Sequence, residues 1–99
     1  MMKAVFIVYN QAHTEKVSFM LEQLGIRGFT GWQGLSGKGS VTGVPHMGTH
    51  TWPEINSATL VVVPDEQVDS LLEGVKALDE INKEVGIRAF VWDVLQQVP

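Results

Sequence analysis

The chain has 99 residues, 44% of them hydrophobic, and its seven basic and eleven acidic side chains leave a formal charge of −4. That length supports one small core and not two, and so apolar a composition excludes an intrinsically disordered chain. Residues 1–50 carry four basic and two acidic groups and residues 51–99 three basic and nine acidic, with no Lys/Arg cluster, so a nucleic-acid phosphate backbone would find little counter-charge.

In chain order, Ala4 to Tyr9 reads AVFIVY, a continuous apolar and β-branched run too short for a helix and suited to an interior strand. Asn10 to His13 turns, with His13 read as a turn or capping residue. Thr14 is the expected N-cap of a helix whose apolar positions Val17, Met20, Leu21 and Leu24 share one face, and Gly25 ends it. Ile26 to Trp32 is strand-like but interrupted by glycine, and a loop of low charge follows. Ala58 to Val63, ATLVVV, is a second interior strand closed by Pro64. Asp65 caps a long helix with the stripe Val68, Leu71, Leu72, Val75, Leu78 and Ile81, running to Gly86; Ala89 to Val94 supplies the last strand. The order β-α-β-loop-β-α-β predicts an α+β fold, a ferredoxin-like β-α-β-β-α-β sandwich in which two helices cover one face of a four-stranded antiparallel sheet, formed by residues 1–99 as a single domain. Because the strands are apolar on both sides, the uncovered face needs a cover, and a homo-oligomer packed sheet against sheet is expected, with heterodimerisation or a bound apolar ligand as the alternatives.

Eight of the ten glycines lie between Gly25 and Gly48, and Gly25, Gly28, Gly31, Gly34 and Gly37 recur every third residue. The run lacks the proline and length of collagen and predicts a bent or bulged strand. Ser36-Gly37-Lys38-Gly39-Ser40 could offer consecutive backbone amides to an anion with Lys38 as counter-charge, or serve conformation alone. Further along, His46 and His50 stand four apart with Glu54 nearby. Imidazole and carboxylate are ligands for zinc, nickel or copper, so this group is read as a divalent-metal site, as acid or base chemistry, or as ordinary surface and partner-contact residues. Asp93 reads as an outward-facing strand carboxylate or, alternatively, as one buried at a subunit boundary beside Arg27 or Arg88, and Trp32, Trp52 and Trp92 read as core or interface aromatics.

Zero cysteines exclude disulfides and thiolate metal sites, and no apolar run reaches the roughly 20 residues that span a bilayer. A cytoplasmic chain without membrane insertion is the expectation. No Ser-His-Asp order and no pair of catalytic carboxylates is present, which argues against an enzyme.

The strand AVFIVY, the segment Leu24-Gly25-Ile26-Arg27-Gly28-Phe29-Thr30 closing the first helix into strand two, Gly34-Leu35-Ser36-Gly37-Lys38-Gly39 and the helix from Asp65 together resemble the PII signalling superfamily, over nearly the whole chain. The outline is also similar to the related trimeric CutA metal-tolerance proteins. The resemblance implies a homotrimeric regulatory protein in which a T-loop, here about residues 37–56, contacts a regulated protein partner. It further implies an effector, an adenine nucleotide or a divalent metal ion, held near a subunit boundary. Gly34, Gly37, Lys38 and Gly39 match the base of that loop, and Gly86 and Arg88 match part of a second glycine-rich loop before strand four. The chain departs from the family in having no basic residue in Gln96-Gln97-Val98-Pro99 and no tyrosine in the loop, Tyr9 being its single tyrosine. The alternatives are a structural protein-protein interaction module without ligand and a CutA-like metal binder.

Overall fold

A computed structural model describes residues 1–36, 55–81, 83 and 85–99. The elements are β1 (Met2–Asn10), a single 3-10 turn (Gln11–His13), α1 (Thr14–Gln23), β2 (Thr30–Leu35), β3 (Asn56–Pro64), α2 (Asp65–Ile81) and β4 (Ile87–Asp93). They form the α+β ferredoxin-like fold, with an antiparallel sheet ordered β2-β3-β1-β4 and two helices on one face.

Alternation along the strands decides what each face holds. Val5, Ile7 and Tyr9 of β1, Val61 and Val63 of β3 and Ile87 of β4 point to the helices and are buried against Val17, Met20 and Leu21 of α1 and Leu71 and Val75 of α2. The other face is also apolar. Phe6 pairs with Leu60 on one side and Phe90 on the other, and Ala4 pairs with Val62 and Trp92, so these side chains share the face without helices. Trp32 and Trp92 flank Phe6, with ring centroids 6.0 and 6.3 Å away. Phe90 and Trp92 are about half exposed, at 51% and 49%. The apolar strands predict an uncovered apolar face, and these exposed aromatics form it.

The first helix ends as Gly25 predicts. Gly25 takes φ +75°, its N–H donates to the Glu22 carbonyl and the Ile26 N–H donates to the Leu21 carbonyl. This Schellman arrangement satisfies two carbonyls at the helix end and buries Ile26 against the core beside Leu21. Ile26 is consumed by that contact, so β2 starts at Thr30 and not at Ile26 as its apolar character suggests.

Three other boundaries differ from the sequence reading. Thr14 is not an N-cap, because the 3-10 turn runs straight into α1; the Asn10 side chain accepts from Ala12 N–H instead, and the Thr14 hydroxyl donates to the Gln11 carbonyl. The long helix stops at Ile81, short of Gly86. Steps of three residues fall short of a 3.6-residue turn, so the run Val75, Leu78, Ile81 walks off the core side and leaves Ile81 exposed. Finally, β4 begins at Ile87, with Ile87 buried in the core.

Candidate functional site

Among the described residues predicted for the site, Gly34, Gly86 and Arg88 have defined positions. Gly37, Lys38, Gly39, His46, His50 and Glu54, with Trp52 and most of the 37–56 segment, lie outside the described residues. No group of three or more histidine or acidic side chains suited to a metal occurs among the described residues.

Gly34 makes the predicted bulge. On β3 the partners of Trp32 and Leu35 are Ala58 and Asn56, so β2 advances three residues while β3 advances two. The extra residue is accommodated by Gly34 at φ +71°, a left-handed conformation that a side chain would strain. A bulge of this kind bends its strand, here at the end of β2.

Pairing then lines up the two glycine segments. Leu35 pairs with Asn56, Asn56 with Asn10, and Tyr9 with Ile87, so Gly34 and Gly86 lie at the same end of the sheet. They stand on opposite edges, because β3 and β1 lie between β2 and β4. At about 4.8 Å per strand the two edges are roughly 14 Å apart.

Between them sits the 3-10 turn, held on both sides. Asn10 N–H donates to the Gly86 carbonyl and Gln11 N–H to the Ile55 carbonyl, each at 2.9 Å. His13 is buried, 2% exposed, and its Nε2 lies 2.9 Å from the Val85 carbonyl oxygen. A carbonyl only accepts, so this ring nitrogen carries the hydrogen. The reading of His13 as a turn residue therefore captures its position and misses its reach. Nothing local signals that reach: the cap of the continuous 3-10 and α1 stretch is Asn10, whose side chain accepts from Ala12 N–H.

Arg88 pairs with Val8, which puts it on the aromatic face of β4, where it is exposed. A shallow groove of about 390 Å³ wraps the free edge of β4 and is lined by Leu72, Val75, Lys76, Asp79, Arg88 and Phe90 among others. Two cations and one carboxylate border it, leaving a surplus of positive charge. The other ionic cluster lies at the opposite end of the strands, where Lys3 bonds Asp93 and approaches Asp65 at 3.5 Å. The hydrogen bond to Asp93, reinforced by its charge and that of Asp65, raises the Lys3 pKa above its ordinary 10.5. Asp93 is exposed and paired, but it differs from the outward-facing reading: its register with Lys3 puts it on the helix side of the sheet, the face of Val5 and Ile87.

No helix among the described residues is long and apolar enough to cross a membrane. The family model described as "Nitrogen regulatory protein P-II" matches residues 2–98. Among solved structures, CPII from Thiomonas intermedia K12 bound to ADP, AMP and acetate is similar with a TM-score of 0.75 and 29% identity, covering 94% of this chain and 85% of that one. The same protein bound to ADP, AMP and bicarbonate gives 0.75 and 28%, covering 99% and 94%. Its apo form gives 0.68 and 25%, covering 94% and 90%. No curated protein sequence matches the chain significantly.

Proposed function

Because the chain belongs to the nitrogen regulatory protein P-II family, we propose that this PII-like regulatory protein is a homotrimer that binds an adenine nucleotide between neighbouring subunits and signals its occupancy through the 37–56 segment to a protein partner. The observation that carries the reading is the likeness to CPII, whose structures hold ADP and AMP, across 94% to 99% of this chain.

Sheet geometry supports a site shared between subunits. Gly34 and Gly86 lie at one end of the sheet on opposite edges, β3 and β1 apart. Among the described residues of one protomer, two strands separate them, whereas the β2 edge of one protomer and the β4 edge of the next could close a pocket. The aromatic face around Phe6, Phe90 and Trp92 supplies the apolar area for that assembly.

In this reading Gly34, Gly37 and Gly39 let backbone amides approach the phosphates, with Lys38 as counter-charge. Gly86 and Arg88 complete the site from the neighbouring subunit. The absence of cations in residues 96–99 leaves Lys38 and Arg88 as the chief phosphate partners among the predicted site residues.

Calorimetric titration with ADP tests the proposal. Saturable binding is expected, and the double variant Lys38→Ala/Arg88→Ala weakens it at least tenfold, since each charge-assisted hydrogen bond contributes about 1.5–3 kcal/mol. Limited proteolysis within residues 37–56 should change on ADP addition. Absence of binding up to millimolar nucleotide defeats the reading, and unchanged affinity in the double variant defeats the placement of the phosphates.

A further inference from the structure

We propose that His13 is a positioning residue that joins the Val85–Gly86 segment to the start of β3 through the 3-10 turn, so that a change at Gly86 is felt at Ile55. The link to effector binding rests on the proposed site at Gly86 and Arg88; the structural coupling does not.

Three bonds of the same length converge on four residues. Asn10 N–H holds the Gly86 carbonyl, Gln11 N–H holds the Ile55 carbonyl, and His13 Nε2 holds the Val85 carbonyl, all at 2.9 Å. Consecutive amides of one short segment therefore grip two chain regions that border the two proposed halves of the site. The segment is braced internally: Asn10 Oδ1 accepts from Ala12 N–H at 2.9 Å and Thr14 Oγ1 donates to the Gln11 carbonyl at 2.7 Å. A braced turn passes displacement from one partner to the other and does not absorb it.

His13 provides the side-chain bond of this joint, reaching across 72 residues of sequence. One observation sets it apart from a residue kept for stability alone. Its Nδ1 is buried without a hydrogen-bond partner among the described residues, an arrangement that costs free energy. Positions that break local rules in this way are where function is sought.

Amide hydrogen exchange followed by NMR on the full chain decides the matter, comparing wild type, His13→Leu and His13→Gln, each with and without ADP. Without ligand, His13→Leu should raise exchange at Asn10 and Gln11 at least tenfold while the β1–β3 ladder around Val5 to Ile7 keeps its protection. Glutamine, whose side-chain N–H can reach the same carbonyl, should restore the wild-type rates. ADP should alter exchange at Gln11 in the wild type, and this response should vanish in His13→Leu. Unchanged Gln11 protection in His13→Leu overturns the proposal, as does a rise spread evenly over the ladder or a glutamine variant that behaves like leucine. Should His13→Leu fail to fold, the glutamine variant and the wild-type response decide: glutamine must retain protection and ADP must alter Gln11. If calorimetry finds no ADP binding, the nucleotide reading falls while the ligand-free comparison still decides the coupling.

Discussion

Gly74 of α2 lies so close to Met20 of α1 that a Cβ at position 74 would stand 2.5 Å from the Met20 Sδ and 3.0 Å from its Cγ. Glycine inside a helix costs about 0.8–1.0 kcal/mol relative to alanine. Its presence in α2 is explained by the close approach of the helices. Gly74→Ala should therefore be near neutral or destabilising in the wild type, where Met20 must move. In a Met20→Ala background the same change should stabilise by about 1 kcal/mol, the full helix-propensity gain. Urea unfolding at one fixed protein concentration measures both; equal stabilisation in the two backgrounds would show that the contact does not constrain position 74.

The aromatic sheet face predicts an assembly defect. Trp92 is about half exposed and packs beside Phe6, whose ring lies between Trp32 and Trp92. Burying a large apolar side chain contributes about 1.5–3 kcal/mol, so Trp92→Ser should weaken subunit association at least tenfold. Analytical ultracentrifugation should show a three-chain mass for the wild type and dissociation toward single chains for the variant at the same micromolar concentration. The helix-side core residues, Val5, Ile7 and Val61 among them, are untouched by this change, so the separated chains should keep their secondary structure. A wild type that sediments as a single chain would remove the assembly.

Much of this architecture is legible in the sequence because it depends on local chemistry and strand or helix period. AVFIVY, ATLVVV and the α2 stripe identify interior elements, and Leu24-Gly25-Ile26 carries the helix stop in three residues. The glycine spacing predicts a bulge, and Gly34 makes one. Missed features depend on partners far along the chain. Nothing local to His13 points to Val85, 72 residues away. The alignment of Gly34 with Gly86 at one sheet end follows from register across three strand pairs, which periodicity alone does not provide. Ile26 misleads for a related reason: an apolar residue after a helix-ending glycine suits a strand start and a Schellman contact equally, and burial against Leu21 selects the second.

Alkaline pH should expose the contribution of Lys3. Its ammonium bonds Asp93 across the β1–β4 pair and approaches Asp65 at the start of α2. These carboxylates raise its pKa above 10.5 in the folded state, so the folded protein holds this proton more tightly than the unfolded chain does. The resulting stabilisation is fully present below the unfolded pKa and is lost as pH rises through the folded value. Lys3→Met should accordingly unfold at a lower urea concentration than wild type near neutrality, with the gap narrowing above pH 10.5. A gap that stays constant through the alkaline range would assign the loss to packing of the lysine stem.

Tyr9 and Thr59 form a buried hydroxyl pair on the helix side of the sheet, 2.7 Å apart and 5% and 4% exposed. Either hydroxyl can donate, so each satisfies the other. Tyr9→Phe leaves the Thr59 hydroxyl buried and unpaired, and Thr59→Val does the same to Tyr9; each should cost about 1–3 kcal/mol in urea unfolding at a common protein concentration. Combining them removes both polar groups, so the double variant should cost about as much as one single variant, a coupling of about 1 kcal/mol or more. Strict additivity would mean that the pair does not act as a unit. Because Tyr9 pairs with Ile87 and directly precedes Asn10, the double variant also isolates packing beneath the turn from the bonds made by the turn. Its Asn10 and Gln11 amides should retain wild-type protection, since the His13, Gly86 and Ile55 contacts are left in place.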